Sequence, residues 1–215
     1  GGLHPSALPE RTMQEESVDF VCQGEGPYTL LGLLRQPEWK GPVDYSQVNG
    51  LWYRKQGVIC STPQAPVIED LDTDLRAVAW DLLPMDKYRA HNWHCFGHIG
   101  DRKPYASMYT SLGCPFKCSF CCINTPFGKP MIRYRSPESV IREIDELVTK
   151  YGVRNIKMAD EMFILNERQV LGICDLIIGR GYDLNIWAYA RIDTVKDSML
   201  KKLKQAGVNW LGIGI

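Results

Sequence analysis

The stretch SPESVIREIDELVTKYGVRNIKM, residues 136–158, decides the fold class of this chain. Ser136 is a typical N-cap residue of an α-helix. Apolar side chains follow it at the spacing of one helix face, at Val140, Ile141, Ile144, Leu147 and Val148. Gly152 predicts the helix end, and VRNIKM, residues 153–158, is predicted as a strand directly after it.

The same alternation continues on both sides of this stretch. A strand is predicted over YASMYTSL, residues 105–112, with a cysteine-rich loop behind it. Downstream, a helix from Asn166 to Gly181 and a shorter helix separate strands over LNIWAYA, residues 184–190, and VNWLGIGI, residues 208–215. Strand–helix alternation with short loops predicts an α/β fold with a parallel sheet, and four strands amount to the first half of a (β/α) partial TIM-like barrel.

Composition excludes several classes of protein. The chain has 215 residues, is 45% hydrophobic, and carries 25 basic and 25 acidic residues. This balance is globular, and a net charge of zero argues against a general nucleic-acid binder. No apolar run approaches the ~20 residues of a membrane span, and the N-terminus lacks the pattern of a signal peptide. Because the chain starts without Met and stops inside an apolar run, we expect a fragment of a longer protein.

Eight cysteines require an explanation, and four of them lie close together at Cys114, Cys118, Cys121 and Cys122. A disulfide framework suits short secreted chains, so the cluster favours metal or iron–sulfur binding in a reducing, cytoplasmic compartment. The first three form Cys-x3-Cys-x2-Cys, which can hold three irons of a cubane and leave the fourth open. A zinc site or a ferredoxin cluster would require a fourth protein ligand.

The loop GCPFKCSFCC, residues 113–122, resembles that of the radical S-adenosylmethionine (radical SAM) superfamily, including the aromatic Phe120 before the third cysteine. The resemblance implies a 4Fe–4S cluster held by Cys114, Cys118 and Cys121, with S-adenosylmethionine chelating the open iron. It also implies reductive cleavage of that cofactor to methionine and a 5′-deoxyadenosyl radical, with electrons from a flavodoxin- or ferredoxin-like donor. Cys122 departs from the minimal pattern, and we interpret it as a packing residue or as a neighbour of the cluster that does not bind iron.

Charged residues follow the next two strands, on the edge where parallel folds bind ligands. KMADEMF, residues 157–163, lies where this superfamily holds the cofactor's amino group, so Asp160 or Glu161 is expected to bind the ammonium. Arg191 is expected to pair with the cofactor's carboxylate. The alternatives are a solvated acidic pair and a salt bridge at the rim of the barrel. The last strand is similar to the family's run that usually precedes Glu-Ser-Gly.

Two glycine motifs near the N-terminus resemble the end of a Rossmann-like cobalamin-binding domain. They are Gly1-Gly2 and the loop Gly24-Glu25-Gly26. In that family, glycines let the backbone approach the nucleotide tail of the cofactor, where a side chain would collide. His4 follows the double glycine and is not interpreted as a cobalt ligand.

The resemblance divides the chain into three segments. Residues 1–35 are the remnant of the cobalamin domain, residues 36–104 an irregular linker, and residues 105–215 the first half of the radical SAM core. The linker is expected to contain a hairpin that turns at residues 55–57 and a short helix within DLRAVAWDLL, residues 74–83.

Polar clusters near the linker are open to two interpretations. The segment HNWHCFGH contains His91, His94, Cys95 and His98. It fits either a metal site or an aromatic lid with locally bonded histidines, and we favour the lid. Arg133 and Arg135 either meet an anionic group or form a solvated pair.

Together these features predict a cobalamin-dependent radical SAM enzyme that transfers a methyl group to an unactivated carbon or phosphorus of a small-molecule substrate. One alternative is a cobalamin-dependent radical rearrangement or ring formation. The other, from a different class, is a non-catalytic zinc or iron–sulfur binding module.

Overall fold

The computed structural model describes residues 1–36 and 44–214, so part of the predicted linker and the final residue of the last predicted strand lie outside the described residues. The chain forms two compact units. The first contains residues 1–69 and 113–131, and the second contains residues 70–112 and those from 132 onward. No helix in the described part of the chain combines the length and apolarity needed to cross a membrane.

The first unit consists of three helices and a small antiparallel sheet. The helices are α1 (Leu3–Ala7), α2 (Pro9–Glu15) and α3 (Pro27–Leu34). The strands are β1 (Phe20–Cys22), β2 (Leu51–Lys55) and β3 (Val58–Ser61), hydrogen-bonded in that order. The predicted hairpin is confirmed, because β2 and β3 are joined by Gln56 and Gly57. The pairing of β1 with β2 joins residues that the sequence had assigned to different segments.

The second unit is built on a four-stranded parallel sheet. Its strands are β4 (Tyr105–Met108), β7 (Asn155–Met158), β8 (Asn185–Arg191) and β9 (Val208–Gly214), in the order β4-β7-β8-β9. A two-stranded ribbon, β5 (Ser111–Cys114) and β6 (Met131–Tyr134), follows β4. The crossing helices are α4 (Pro137–Tyr151), α5 (Glu167–Arg180) and α6 (Asp197–Gln205). The predicted α/β fold with a parallel sheet is therefore confirmed.

Local capping fixes the two long helices where the sequence predicts them. The Ser136 hydroxyl accepts a hydrogen bond from the Ser139 amide at 3.1 Å, and Gly152 ends α4 in the left-handed conformation. The Asn166 side chain caps α5 in the same way, with Gly181 at its end.

The apolar faces of these helices bury one side of the sheet. Ile144 and Leu147 of α4 pack with Ile156 and Ile186, all with no exposed surface. Strand residues alternate between the two faces of a sheet. Lys157 and Trp187 therefore lie on the opposite face, away from the helices.

Two predicted elements differ from the structure. The helix expected within residues 74–83 is limited to one 3₁₀ turn, Trp80–Leu82, because the Trp80 indole and the Val78 amide donate instead to Glu143 of α4. The strand expected over residues 105–112 is interrupted after Met108. There the Thr110 amide donates to a side chain, Asp160, rather than to a neighbouring strand.

Candidate functional site

The cysteine loop begins at the end of β5 and stays within the first unit. Cys114 is buried, whereas Cys118 and Cys121 are exposed, and none of the three forms a disulfide. Cys122 is also exposed, so its interpretation as a packing residue is wrong. The Cys121 amide donates to the Cys118 carbonyl at 3.1 Å, so these two residues lie in one tight turn. The side-chain amide of Asn124 donates to the Phe116 carbonyl at 3.0 Å and closes the loop.

Gly113 sets the entrance of this loop. Its φ is +90°, and a Cβ there would lie 2.4 Å from the Met131 carbonyl oxygen on the returning strand. Only glycine allows both the conformation and this approach of two backbones. The glycine before the first cysteine is therefore a requirement of the loop's shape, which the sequence motif does not reveal.

The donor set suits an iron–sulfur cluster with one open iron. Three thiols at residues 114, 118 and 121 lie on one short loop, and thiolates are the usual ligands of such clusters. Within residues 1–36 and 44–214, no three His, Cys or acidic side chains converge as a finished metal site. Phe120, between two of the cysteines, is 90% exposed and packs on little of the chain.

The Gly24-Glu25-Gly26 loop lies beside the cysteine loop in the first unit. Gly24 and Gly26 have φ values of +100° and +97°, and a Cβ at Gly24 would be 3.4 Å from the Pro126 carbonyl oxygen. A Glu25 carboxylate oxygen accepts a hydrogen bond from the Ile68 amide at 2.7 Å. Both glycines are thus required by the backbone, whatever they bind.

The N-terminal glycines have a simpler setting. Gly2, with φ +113°, precedes α1, and a Cβ there would meet nothing within 4 Å. A Cβ at Gly1 would make an ordinary contact of 3.7 Å with the Cys22 carbonyl oxygen. The structure leaves room around both residues.

Asp160 is fully buried at the carboxyl end of β7, in the second unit. Its Oδ1 accepts hydrogen bonds from the Thr110 amide at 3.0 Å, the Thr110 hydroxyl at 2.7 Å and the Ser111 hydroxyl at 2.6 Å. Burial raises the pKa of this carboxyl, while the bonds from Ser111 and Thr110 act in the opposite direction. Asp160 thus holds the residues from which the chain enters the cysteine loop.

Glu161 is half-buried next to it. The pKa of the Tyr109 phenol is raised, first by burial and then by the negative charges of Glu161 and Asp160. Glu161 therefore places negative charge near the carboxyl edge of β4 and β7.

Arg133 and Arg135 are both buried, which excludes the interpretation as a solvated pair. Arg135 forms a buried ion pair with Glu143 of α4 and donates to the Tyr109 carbonyl at 3.0 Å. Its amide donates to the Thr110 carbonyl at 2.9 Å. Residues 109–111 are consequently held from two sides, by Arg135 and by Asp160.

Arg191, the last residue of β8, makes a bidentate contact with a neighbour on its own loop. Its Nε and Nη2 donate to the two carboxylate oxygens of Asp193 at 2.9 and 2.8 Å. The Arg191 guanidinium, through this hydrogen bond and its charge, lowers the pKa of Asp193. The rim salt bridge named as an alternative is present, and a ligand carboxylate would have to share or replace it.

The histidines of residues 91–98 make local contacts. The His94 ring stacks on Tyr105 at 6.0 Å and lies 5.1 Å from the Trp187 ring, while His91 Nδ1 accepts from the Trp93 amide. Burial, followed by the charges of Lys157 and His91, lowers the pKa of His94. The histidines are locally bonded, as the favoured interpretation expects. His94 packs on Tyr105, the first residue of β4, so these contacts do not place a lid at the carboxyl ends of the strands.

Comparison with known proteins defines the class. The family model of the radical SAM superfamily matches residues 108–215, the region of the parallel sheet and the three-thiol loop. The chain belongs to the radical SAM superfamily.

Relatives that match the full chain include enzymes of two kinds. An uncharacterized methyltransferase of Pyrococcus horikoshii is 34% identical over 100% of this chain and 44% of its own length. The anaerobic magnesium-protoporphyrin IX monomethyl ester cyclase of Cereibacter sphaeroides is 29% identical over 100% of this chain and 34% of its own length. The chain thus spans less than half the length of these relatives.

A solved structure shares the fold. The radical S-adenosylmethionine methyltransferase TsrM of Kitasatospora setae, with cobalamin and a [4Fe-4S] cluster bound, has a TM-score of 0.69 and 18% identity. The match covers 100% of this chain and 41% of that one.

Proposed function

We propose that this chain is part of a cobalamin-dependent radical SAM enzyme and supplies its cluster-binding loop. The observation that carries the proposal is the loop itself: three cysteines at residues 114, 118 and 121, none in a disulfide, on one loop that a glycine opens. The family match over residues 108–215 supports it. Methyl transfer to an unactivated carbon or phosphorus of a small molecule is the reaction we favour.

A second reaction is favoured by one specific observation. The chain is 29% identical over its whole length to an anaerobic cyclase that acts on a porphyrin ester. Ring formation with the same cofactors is therefore the alternative. A zinc or iron–sulfur module without catalysis is the alternative from another class, and metal analysis separates it from both.

Cys114, Cys118 and Cys121 would hold three irons of a 4Fe–4S cluster, leaving one iron for the amino and carboxylate groups of S-adenosylmethionine. When bound, the cluster supplies the electron that cleaves this cofactor reductively, and a flavodoxin- or ferredoxin-like protein would replenish it. Cys122 is outside the ligand set. The exposed Phe120 would cover the cluster or its cofactor.

The residues of the sheet edge would orient S-adenosylmethionine. Of the acidic pair we favour Glu161 for the cofactor's ammonium, because Glu161 is half-buried whereas Asp160 is fully buried. Arg191 would bind the cofactor's carboxylate through its planar guanidinium.

The glycine motifs would contribute to a cobalamin site. Gly1, Gly2, Gly24, Glu25 and Gly26 are the residues concerned, and the positive φ of three of them supports close approach by a large cofactor. None of the eight cysteines is in a disulfide, which supports a reducing cytoplasmic compartment. The even charge balance supports a partner set without nucleic acid.

The test is loss of the cluster in single variants. Cys114→Ala, Cys118→Ala and Cys121→Ala are each expected to lose iron and the broad visible absorbance after anaerobic reconstitution, because no other thiol replaces the missing ligand. Cys122→Ala, an exposed thiol in the same loop, is the matched control and is expected to retain both. Zinc in place of iron in the purified chain, or retention of iron by Cys121→Ala, would contradict the proposal.

A further inference from the structure

The face of the parallel sheet that is turned away from the helices carries a cation among aromatic rings. Ser107, Lys157 and Trp187 are in register on β4, β7 and β8, so their side chains share this face. The Lys157 Nζ lies 5.6 Å from the centre of the Trp187 ring and 5.2 Å from that of Tyr189. Both distances are within the range of cation–π attraction.

The strand on the far side makes room for these rings. A Cβ at Gly212 would lie 2.7 Å from two atoms of the Trp187 ring and 3.3 Å from Tyr189. The six-membered ring of the indole therefore lies close to the backbone of β9 at Gly212. It also packs edge-on against Tyr189, with ring centres 4.4 Å apart. The rings have defined places, and Tyr189 is still 39% exposed.

Lys157 differs in its partners from three other lysines of the second unit. Lys150, Lys196 and Lys202 each lie within ion-pair distance of a carboxylate. For Lys157 the described part of the chain provides two aromatic rings and no carboxylate within that distance. A cation in the middle of a strand, half-buried and without a counter-charge, is a favourable place for an anionic group.

We propose that Lys157, Trp187 and Tyr189 form a binding site for a planar, unsaturated small molecule that carries an anionic group. The rings contact the flat part of the molecule, and the ammonium pairs with its carboxylate, phosphate or sulfonate. That this molecule is the substrate rests on the proposed function; the binding itself does not. Lys157 is then a specificity-determining residue, selecting anionic over neutral molecules of the same shape.

Two probes of matched shape test this site without iron or S-adenosylmethionine. They are 1-anilinonaphthalene-8-sulfonate and the uncharged N-phenyl-1-naphthylamine, followed by their fluorescence on titration with the 215-residue chain. Lys157→Met is expected to weaken binding of the sulfonate about tenfold or more and to leave the neutral probe unchanged, as loss of a charge-assisted bond requires. Lys157→Arg is expected to retain both. Lys150→Met, which removes a lysine that also lies over a tyrosine ring, is the matched control.

A second measurement needs no variant. In the parent chain, the sulfonate is expected to slow acetylation of Lys157 by acetic anhydride, read by mass spectrometry, and to leave Lys150 unaffected. Equal binding of the sulfonate by parent and Lys157→Met, or acetylation of Lys157 at an unchanged rate, would overturn the proposal. Equal loss of both probes in Lys157→Met would also overturn it, since the lysine would then serve packing alone. If the chain fails to bind iron but meets these expectations, the proposed function fails and the binding site at Lys157 stands.

Discussion

A carboxylate at the end of a strand can bind a ligand or hold the chain, and its surroundings decide which. Asp160 is fully buried and accepts bonds from Thr110 and Ser111, whereas Glu161 is half-buried beside it. Adjacent acids of similar chemistry therefore have different roles. The first fixes the entry to the cysteine loop, and the second is left as the candidate for an ammonium.

Replacing Asp160 tests the first of these roles. Asp160→Ala is expected to lower the free energy of unfolding by about 2–4 kcal/mol, because the Thr110 amide and two hydroxyls lose their buried acceptor. Asp160→Asn keeps one acceptor oxygen and is expected to cost about half of that. Urea unfolding measures both. In Asp183→Ala, the control, the lost carboxylate is 85% exposed, and an effect as large as that of Asp160→Ala would contradict the assignment.

Arg191 and Asp193 allow a paired test of cofactor binding. In cluster-loaded protein, Arg191→Ala is expected to weaken S-adenosylmethionine binding roughly ten- to hundredfold, as loss of a charge-assisted bond implies. Asp193→Asn removes the competing carboxylate 2.8 Å from the guanidinium and is expected to bind as tightly or more tightly. Isothermal titration measures both affinities. If Arg191→Ala binds the cofactor like the parent, Arg191 belongs to the rim salt bridge alone.

At the residue scale, the sequence reveals candidate metal ligands more readily than it reveals the hydrogen-bond partners of a buried side chain. The three cysteines are recognisable because their spacing is local, within eight residues of one another. The partners of Asp160 are 50 residues away along the chain, so its burial follows from tertiary packing that no local pattern records. The rings around Lys157 are separated from it in the same way.

Among the elements, the cysteine loop depends on its flanking glycine. Gly113→Ala is expected to destabilise the loop and reduce the iron bound after reconstitution, because the methyl group would meet the Met131 carbonyl oxygen at 2.4 Å. Gly128→Ala is the matched control in the same loop. It has φ +70° and only a side chain, that of Gln64, at 3.9 Å, so it carries the conformational cost of about 1 kcal/mol without the collision.

Iron per chain and the midpoint of urea unfolding distinguish the two variants. Equal iron content in Gly113→Ala and Gly128→Ala would show that backbone conformation alone matters at residue 113. The close approach of the two backbones would then have no part in the loop's function.

The helices and strands of the core were predictable to different degrees. α4 and α5 follow from amphipathic spacing with Ser136 and Asn166 as caps, and the structure places both caps as predicted. Residues 74–79 have a composition that favours a helix. The hydrogen bonds from Val78 and Trp80 to Glu143 hold this segment in a non-helical conformation instead. The pairing of β1 with β2 was not predictable, because antiparallel partners 29 to 33 residues apart leave no periodic signal.

For the whole molecule, the chain leaves the second unit at residue 112, forms the cysteine loop in the first unit, and returns at residue 132. The candidate cluster ligands thus share a unit with β1, β2 and β3, while the candidate cofactor residues Glu161 and Arg191 belong to the other. A ligand stabilises the states that can bind it. Binding of the cluster should therefore stabilise most strongly the unit that contains its thiols.

Hydrogen exchange with and without iron tests this expectation. Reconstitution with iron and sulfide is expected to slow amide exchange in residues 113–131 and in β1–β3 by about tenfold or more, because opening there must release the metal. Amides of β7 and β8 are expected to change less, since opening of these strands leaves the three thiols in place. Removing the iron with a chelator should return exchange to its original rate. If removing the iron speeds exchange in β7 as much as in residues 113–131, the prediction is contradicted. The two units would then open together.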